Sequence, residues 1–176
     1  MTFNCPLLIE REFDITDWCS EYDSLYQDFK KEYIEGGLSF YNIPIRFKRK
    51  PEVRGRHNSF YHITTGHDQP VESDEERIPD VKRIRRFYYP KILINNFDCK
   101  LGCIDCSSIL HWFSKKNNIT TAYIYFDSIK YIVILEYRCG DSGEYFLFKT
   151  AYYVEFLRQR QLFLKEYNKN KDYKPF

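Results

Sequence analysis

The stretch TTAYIYFDSIKYIVILEYRCGDSGEYFLFKTAYYV, residues 120–154, decides the fold. Apolar and aromatic side chains run through 120–126, 129–138 and 144–153, and Asp127-Ser128 and residues 139–143 form turn-prone breaks between them. Successive strand side chains point to opposite faces, so three such runs joined by short turns predict an antiparallel meander. Downstream, residues 154–167 place Phe156, Leu157, Phe163 and Leu164 at helical intervals, which predicts a closing helix before a polar tail over 168–176.

Upstream the signals are shorter. Ile104, Ile109, Trp112 and Phe113 suggest a helix over 103–115. Pro79 suits the first turn of a helix running to about Arg86, and Tyr89-Pro90 would stop it. Residues 59–65 alternate as a strand, with Phe60, His62 and Thr64 on one face and Tyr61, Ile63 and Thr65 on the other. Between these two, residues 66–76 form a polar, acid-rich loop. Residues 48–57 are a basic loop, and 38–47 with Pro44 make at most an edge strand. Thr16 or Asp17 caps a helix whose apolar face is Trp18, Tyr22, Leu25, Phe29 and Tyr33, and Gly36-Gly37 ends it. The class expected is α+β. The meander plus one or two further strands would form a twisted antiparallel sheet, with helices packed on one side. The chain divides into an acidic helical element over 1–37, an α+β domain over 38–167 and the tail.

At 176 residues the chain is long enough for one well-buried core. With 16 tyrosines and 15 phenylalanines against one methionine, aromatic rings must build much of it. The net charge of +2 conceals an acidic beginning and a basic middle. Residues 1–35 hold nine carboxylates, and the basic residues gather in 46–57 and 77–91. Met1 to Glu10 lacks a basic start followed by an apolar run, and no segment approaches a membrane span, so a cytosolic protein without a membrane partner is expected. Its six cysteines are then expected as reduced thiols. Cys99, Cys103 and Cys106 with His111 supply enough ligands for zinc, but the spacing is not that of a finger or knuckle, and buried thiols are the stronger reading. Phosphate-cradling glycine loops and zinc-protease helices are missing from the sequence.

The candidate site residues come from three segments. His62 sits between aromatics, where a histidine is commonly a core residue. Here Arg54, Arg56 and His57 precede it, and Arg77, Arg83 and Arg86 follow. An imidazole kept neutral by neighbouring guanidiniums suits a general base. Arg83 and Arg86 lie about one helical turn apart and, with Arg77, can clamp one phosphate. Asp80 orients one of them or complements the helix dipole. The strand end Lys149-Thr150-Ala151-Tyr152-Tyr153 brings an ammonium, a hydroxyl and phenols to one end of the sheet. Glu136 is a further possible base.

The patterns R-H-x-x-F-Y-H-I-T-T, R-I-P-D-x-x-R-x-x-R-F and K-T-A-Y-Y, in that order, resemble phage- and mobile-element-associated proteins of the barnase–EndoU–colicin–RelE-like superfamily of small RNases and toxins. The resemblance covers about residues 38–167. It implies cleavage of RNA by attack of the ribose 2′-OH on phosphorus, with no metal or cofactor, and an antitoxin or immunity protein as a possible partner. His62 would be the base or the acid. Arg77 and Arg83 would stabilise the phosphorane, and Thr150 with Tyr153 would position the phosphate. Arg54, Arg56, His57, Thr64, Arg86 and Lys149 would hold the substrate. The acidic N-terminus would mask the basic groove. Y-H-I-T-T also looks like the first motif of ADP-ribosyltransferases, although the acidic loop and basic helix after it depart from that pattern. A third reading is a nucleic-acid- or toxin-binding module without activity.

Overall fold

The computed structural model describes residues 8–66, 78–98, 109–141 and 143–175. Four long strands form its centre: β5 (Ile109–Lys116), β6 (Ile119–Phe126), β7 (Tyr131–Gly140) and β8 (Gly143–Tyr153), each antiparallel to the next. The meander is therefore as read, with one more strand. Residues 109–115, expected as helix, are that strand. The reason lies in Asn117-Asn118, whose positive φ values of 49° and 62° build a two-residue hairpin turn that pairs Lys116 with Ile119. Asparagine tolerates that left-handed conformation, and such turns match the twist of the flanking strands.

Two short strands complete the sheet. β1 (Ser39–Phe40) pairs with β2 (Ile43–Arg46), and β2 runs parallel to β8, giving the order β1-β2-β8-β7-β6-β5. The α+β class holds, and the sheet is mixed through that one parallel pair. Helices lie on both faces. On one, Ala122, Ile124, Val133, Leu135 and Phe146 meet Tyr22, Leu25, Phe29 and Tyr33. The latter four come from α1 (Trp18–Phe29) and the π-helical turn Lys30–Glu35 that continues it. The acidic helix thus shares its core with the sheet. On the other face, Trp112, Tyr125 and Ile132 meet Phe163, Leu164 and Tyr167 of α5 (Leu157–Asn170). The expected closing helix begins at Leu157, so Phe156 and Leu157 remain exposed instead of joining this core.

The segment expected as a strand over 59–65 is a helix, α2 (Asn58–Thr64). It packs beneath the rings of α1 and against β8, with Phe60 5.1 Å from both the Tyr22 and Tyr26 rings. Burial on almost every side erases the polar face by which a helix is recognised. His62 is its one residue before Thr64 that is not buried. β3 (Thr65–Gly66) and β4 (Ile78–Pro79) form a two-residue ribbon that leads to α3 (Val81–Arg85). Asp80 caps α3, its carboxylate accepting from the Lys82 and Arg83 backbone N–H groups at 2.8 and 3.3 Å. Tyr89-Pro90 does not end a helix but opens α4 (Tyr89–Asn95), because proline lacks an N–H that the first turn does not need. Among the described residues no helix is long and apolar enough to cross a membrane.

Candidate functional site

β2 pairs with β8 only at Phe146 and Leu147; α2 also packs against β8, and Arg83 of α3 bonds to the Ala151 carbonyl beyond that pairing. The β7–β8 ladder also slips there. Leu135 faces Phe148 and Ile134 faces Thr150, so Lys149 is an extra residue, a bulge that re-aims the strand end. Arg83 closes the junction. Its Nη1 donates to the His62 carbonyl at 3.1 Å and to the Ala151 carbonyl at 3.3 Å. The Thr150 hydroxyl lies 3.5 Å from the same His62 carbonyl. The Arg83 guanidinium and the Thr150 hydroxyl, from distant parts of the chain, therefore meet at the main-chain carbonyl of His62.

In front of that point is a cleft of about 780 Å³. Lys82, Arg83 and Arg86 line it together with Tyr131, Tyr152 and Tyr153. The Arg83 guanidinium lies 5.6 Å from the centre of the Tyr152 ring, and that of Arg86 lies 5.3 Å from the Tyr153 ring. Contact with the rings helps hold both guanidiniums in place at the cleft, where they supply positive charge. Carboxylates partly balance the cations. Lys82 is 3.1 Å from Glu155, Arg83 3.8 Å from Asp80, and Arg86 3.1 Å from Glu10 of the N-terminal segment. Burial raises the Tyr152 and Tyr131 phenols above their ordinary range despite the nearby arginines, so both are neutral donors at neutral pH.

The remaining candidates lie elsewhere. His62 and Thr150 sit behind the cleft rather than on its lining. Arg77, Cys99, Cys103 and Cys106 fall outside the described residues. His111 is on β5, its Nε2 2.9 Å from the Tyr41 hydroxyl, and burial lowers its pKa. Thr64 is 0% exposed, 2.9 Å from the Tyr22 hydroxyl, and donates to the Phe60 carbonyl; it reaches no surface from which to touch a substrate. Lys149 is 3.0 Å from Glu136. Burial works to raise the Glu136 pKa, but hydrogen bonds from Lys149 and Arg138 outweigh it and hold the carboxylate below its usual range, which makes it a weak base.

Arg56 and His57 lie at the opposite end of α2. Arg56 crosses the Tyr22 and Tyr26 rings and pairs with Asp23. His57 Nδ1 is 2.8 Å from the Tyr26 hydroxyl, and burial, then Arg49, lowers its pKa. Arg54 occupies a left-handed turn at φ 49° beside Gly55.

Glu155, Phe156 and Gln159 also line the cleft and were not expected there. Phe156 and Phe163 are seven residues apart, which places both on one helical face if the helix starts early. Only the start at Leu157 separates them, and helix starts without a capping side chain leave little trace in sequence. No known protein family, no curated protein and no solved structure matches this chain.

Proposed function

We propose that the chain is a metal-independent, toxin-like endoribonuclease whose cleft holds the scissile phosphodiester. The observation that supports this reading is a cleft lined by Lys82, Arg83, Arg86 and three tyrosines, with Arg83 and the Thr150 hydroxyl converging behind it on the His62 main-chain carbonyl. In the proposed reaction a base takes the proton of the ribose 2′-OH and its oxygen bonds to the adjacent phosphorus. The bond from phosphorus to the 5′-oxygen then breaks, and an acid protonates that oxygen. The products are a 2′,3′-cyclic phosphate and a 5′-hydroxyl. Arg83 and Arg86 would carry the added negative charge, with Arg77 as a further cation. Tyr153, on the lining, would donate to a nonbridging oxygen; for a phosphate seated deep enough to pass the lining, Thr150 would be a second donor and His62 would move one of the two protons. An activity of this kind in a cytoplasm calls for an antitoxin or immunity protein to restrain it.

A second reading is RNA binding without cleavage. It is favoured by Arg83, whose Nη1 already donates to two backbone carbonyls. Incubation with single-stranded RNA in EDTA separates the two. Fragments ending in 2′,3′-cyclic phosphate, lost in His62→Ala, support the nuclease. Salt-sensitive binding with intact RNA supports the binding module, and neither result with RNA removes both.

A further inference from the structure

The cleft has a second wall that a phosphate does not explain. Phe156 lines it and is 71% exposed, and Ile78 lines it at 72%. Among the described residues every other phenylalanine is buried or half-buried, so a phenyl ring left in water beside three cations is the exception. Its backbone is not loose, since the Phe156 carbonyl accepts the Arg160 N–H at 3.1 Å, one turn into α5. Gln159 lies on the same wall, and its Nε2 donates to the Tyr152 hydroxyl at 3.0 Å. The lining of the cleft therefore combines the cations of α3 with an exposed phenyl ring and an amide.

We infer that Phe156 is a platform on which an unpaired nucleobase stacks while its phosphate lies against Arg83 and Arg86, so that the ligand class is single-stranded RNA. This rests on the RNA reading above. A free phosphate would use the arginines and leave the ring in water. A duplex presents the same phosphates but hides the faces of its bases. Only a strand with a splayed base satisfies the charged wall and the apolar wall together. Phenylalanine has no hydrogen-bonding group, so the platform accepts any base, and Gln159 is the group placed to read a base edge.

The test is fluorescence anisotropy with three probes: a short 2′-O-methyl single-stranded RNA that cannot be cleaved, the same length of abasic backbone, and a blunt duplex. Phe156→Ala should weaken the single strand about tenfold, leave the abasic strand and the duplex within about twofold of the intact protein, and be rescued by Phe156→Trp. If the intact protein binds the single strand and Phe156→Ala binds it equally well, the platform is wrong while RNA binding stands. Equal losses on all three probes also overturn it. If the intact protein binds no RNA, the functional reading fails and takes this inference with it.

Discussion

Arg56 lies across the rings of Tyr22 and Tyr26 at one end of α2, and Arg83 and Arg86 lie across Tyr152 and Tyr153 at the other. The chemistry of each pair is the same, with guanidinium-to-ring distances of 5.1 and 5.6 Å for Arg56 on Tyr22 and Arg83 on Tyr152. What surrounds them differs. Around Arg56, the Asp23 carboxylate and the bond between His57 and Tyr26 join the basic loop to α1 and use the groups on each other. Around Arg83, the short reach of β2 and the bulge at Lys149 leave an edge of β8 that no strand covers among the described residues, and a cavity forms there. A run of arginines is thus a fastening in one place and a candidate site in the other. The cavity makes the difference, and the charge alone does not.

The comparison breaks first if α2 is not the common support of its two ends. Phe60 is 0% exposed and touches Tyr22, Tyr26 and Phe29. Phe60→Ala should cost about 3–5 kcal/mol in urea denaturation and loosen both ends together. A loss confined to one end would show that they are supported independently.

Arg83→Ala comes next. It should lower RNA cleavage by about a hundredfold or more. It should also cost about 1–3 kcal/mol, because the His62 and Ala151 carbonyls lose their donor. Arg56→Ala should leave cleavage within about twofold and cost stability through lost packing on its tyrosines and the lost pair with Asp23. Equal kinetic effects of the two substitutions would erase the distinction between the ends.

A smaller effect concerns the N-terminal segment. Arg11 donates its N–H to the Arg85 carbonyl at 2.7 Å, which sets Glu10 against Arg86. Glu10→Gln should therefore raise RNA affinity about threefold and steepen the salt dependence by about one phosphate contact. Asp23→Asn, at the other end, should change neither quantity, as titration at several salt concentrations would show.

The smallest effect is on stability against pH. The pKa of His57 is lowered by burial and then by Arg49, and that of His111 by burial. Each binds a proton more readily in the unfolded chain, so their contribution is complete above the unfolded pKa of about 6.5 and is lost as pH falls through the folded value. Thermal midpoints should decline below that pH, and His57→Asn should flatten part of the decline without changing cleavage at neutral pH.

Much of the scaffold was legible because it repeats itself. Residues 120–153 alternate cleanly where one face of the sheet packs on α1 and the other on α5, and the spacing of Tyr22, Leu25, Phe29 and Tyr33 survives as a buried stripe. α2 was illegible for the opposite reason. Buried on nearly all sides, Asn58 to Thr64 has no period to show, and its β-branched Ile63, Thr64 and neighbouring Thr65 imitate a strand. Its threonines instead bond back to the Phe60 and Tyr61 carbonyls four residues before them. In the site, the arginines of α3 were legible as a cluster, and Tyr153 as the end of a strand. That Thr64 is sealed inside, and that Phe156 is left outside, depends on where two helices begin and end, which composition does not record.

Photo-cross-linking tests the central claim most directly, because it needs no substitution. A single-stranded RNA carrying 4-thiouridine, bound in EDTA and irradiated, should attach to peptides containing Tyr152, Tyr153 and Phe156. Attachment instead to residues 46–57 or to α1, with the cleft peptides unmodified, would contradict it and move the RNA to the other end of α2.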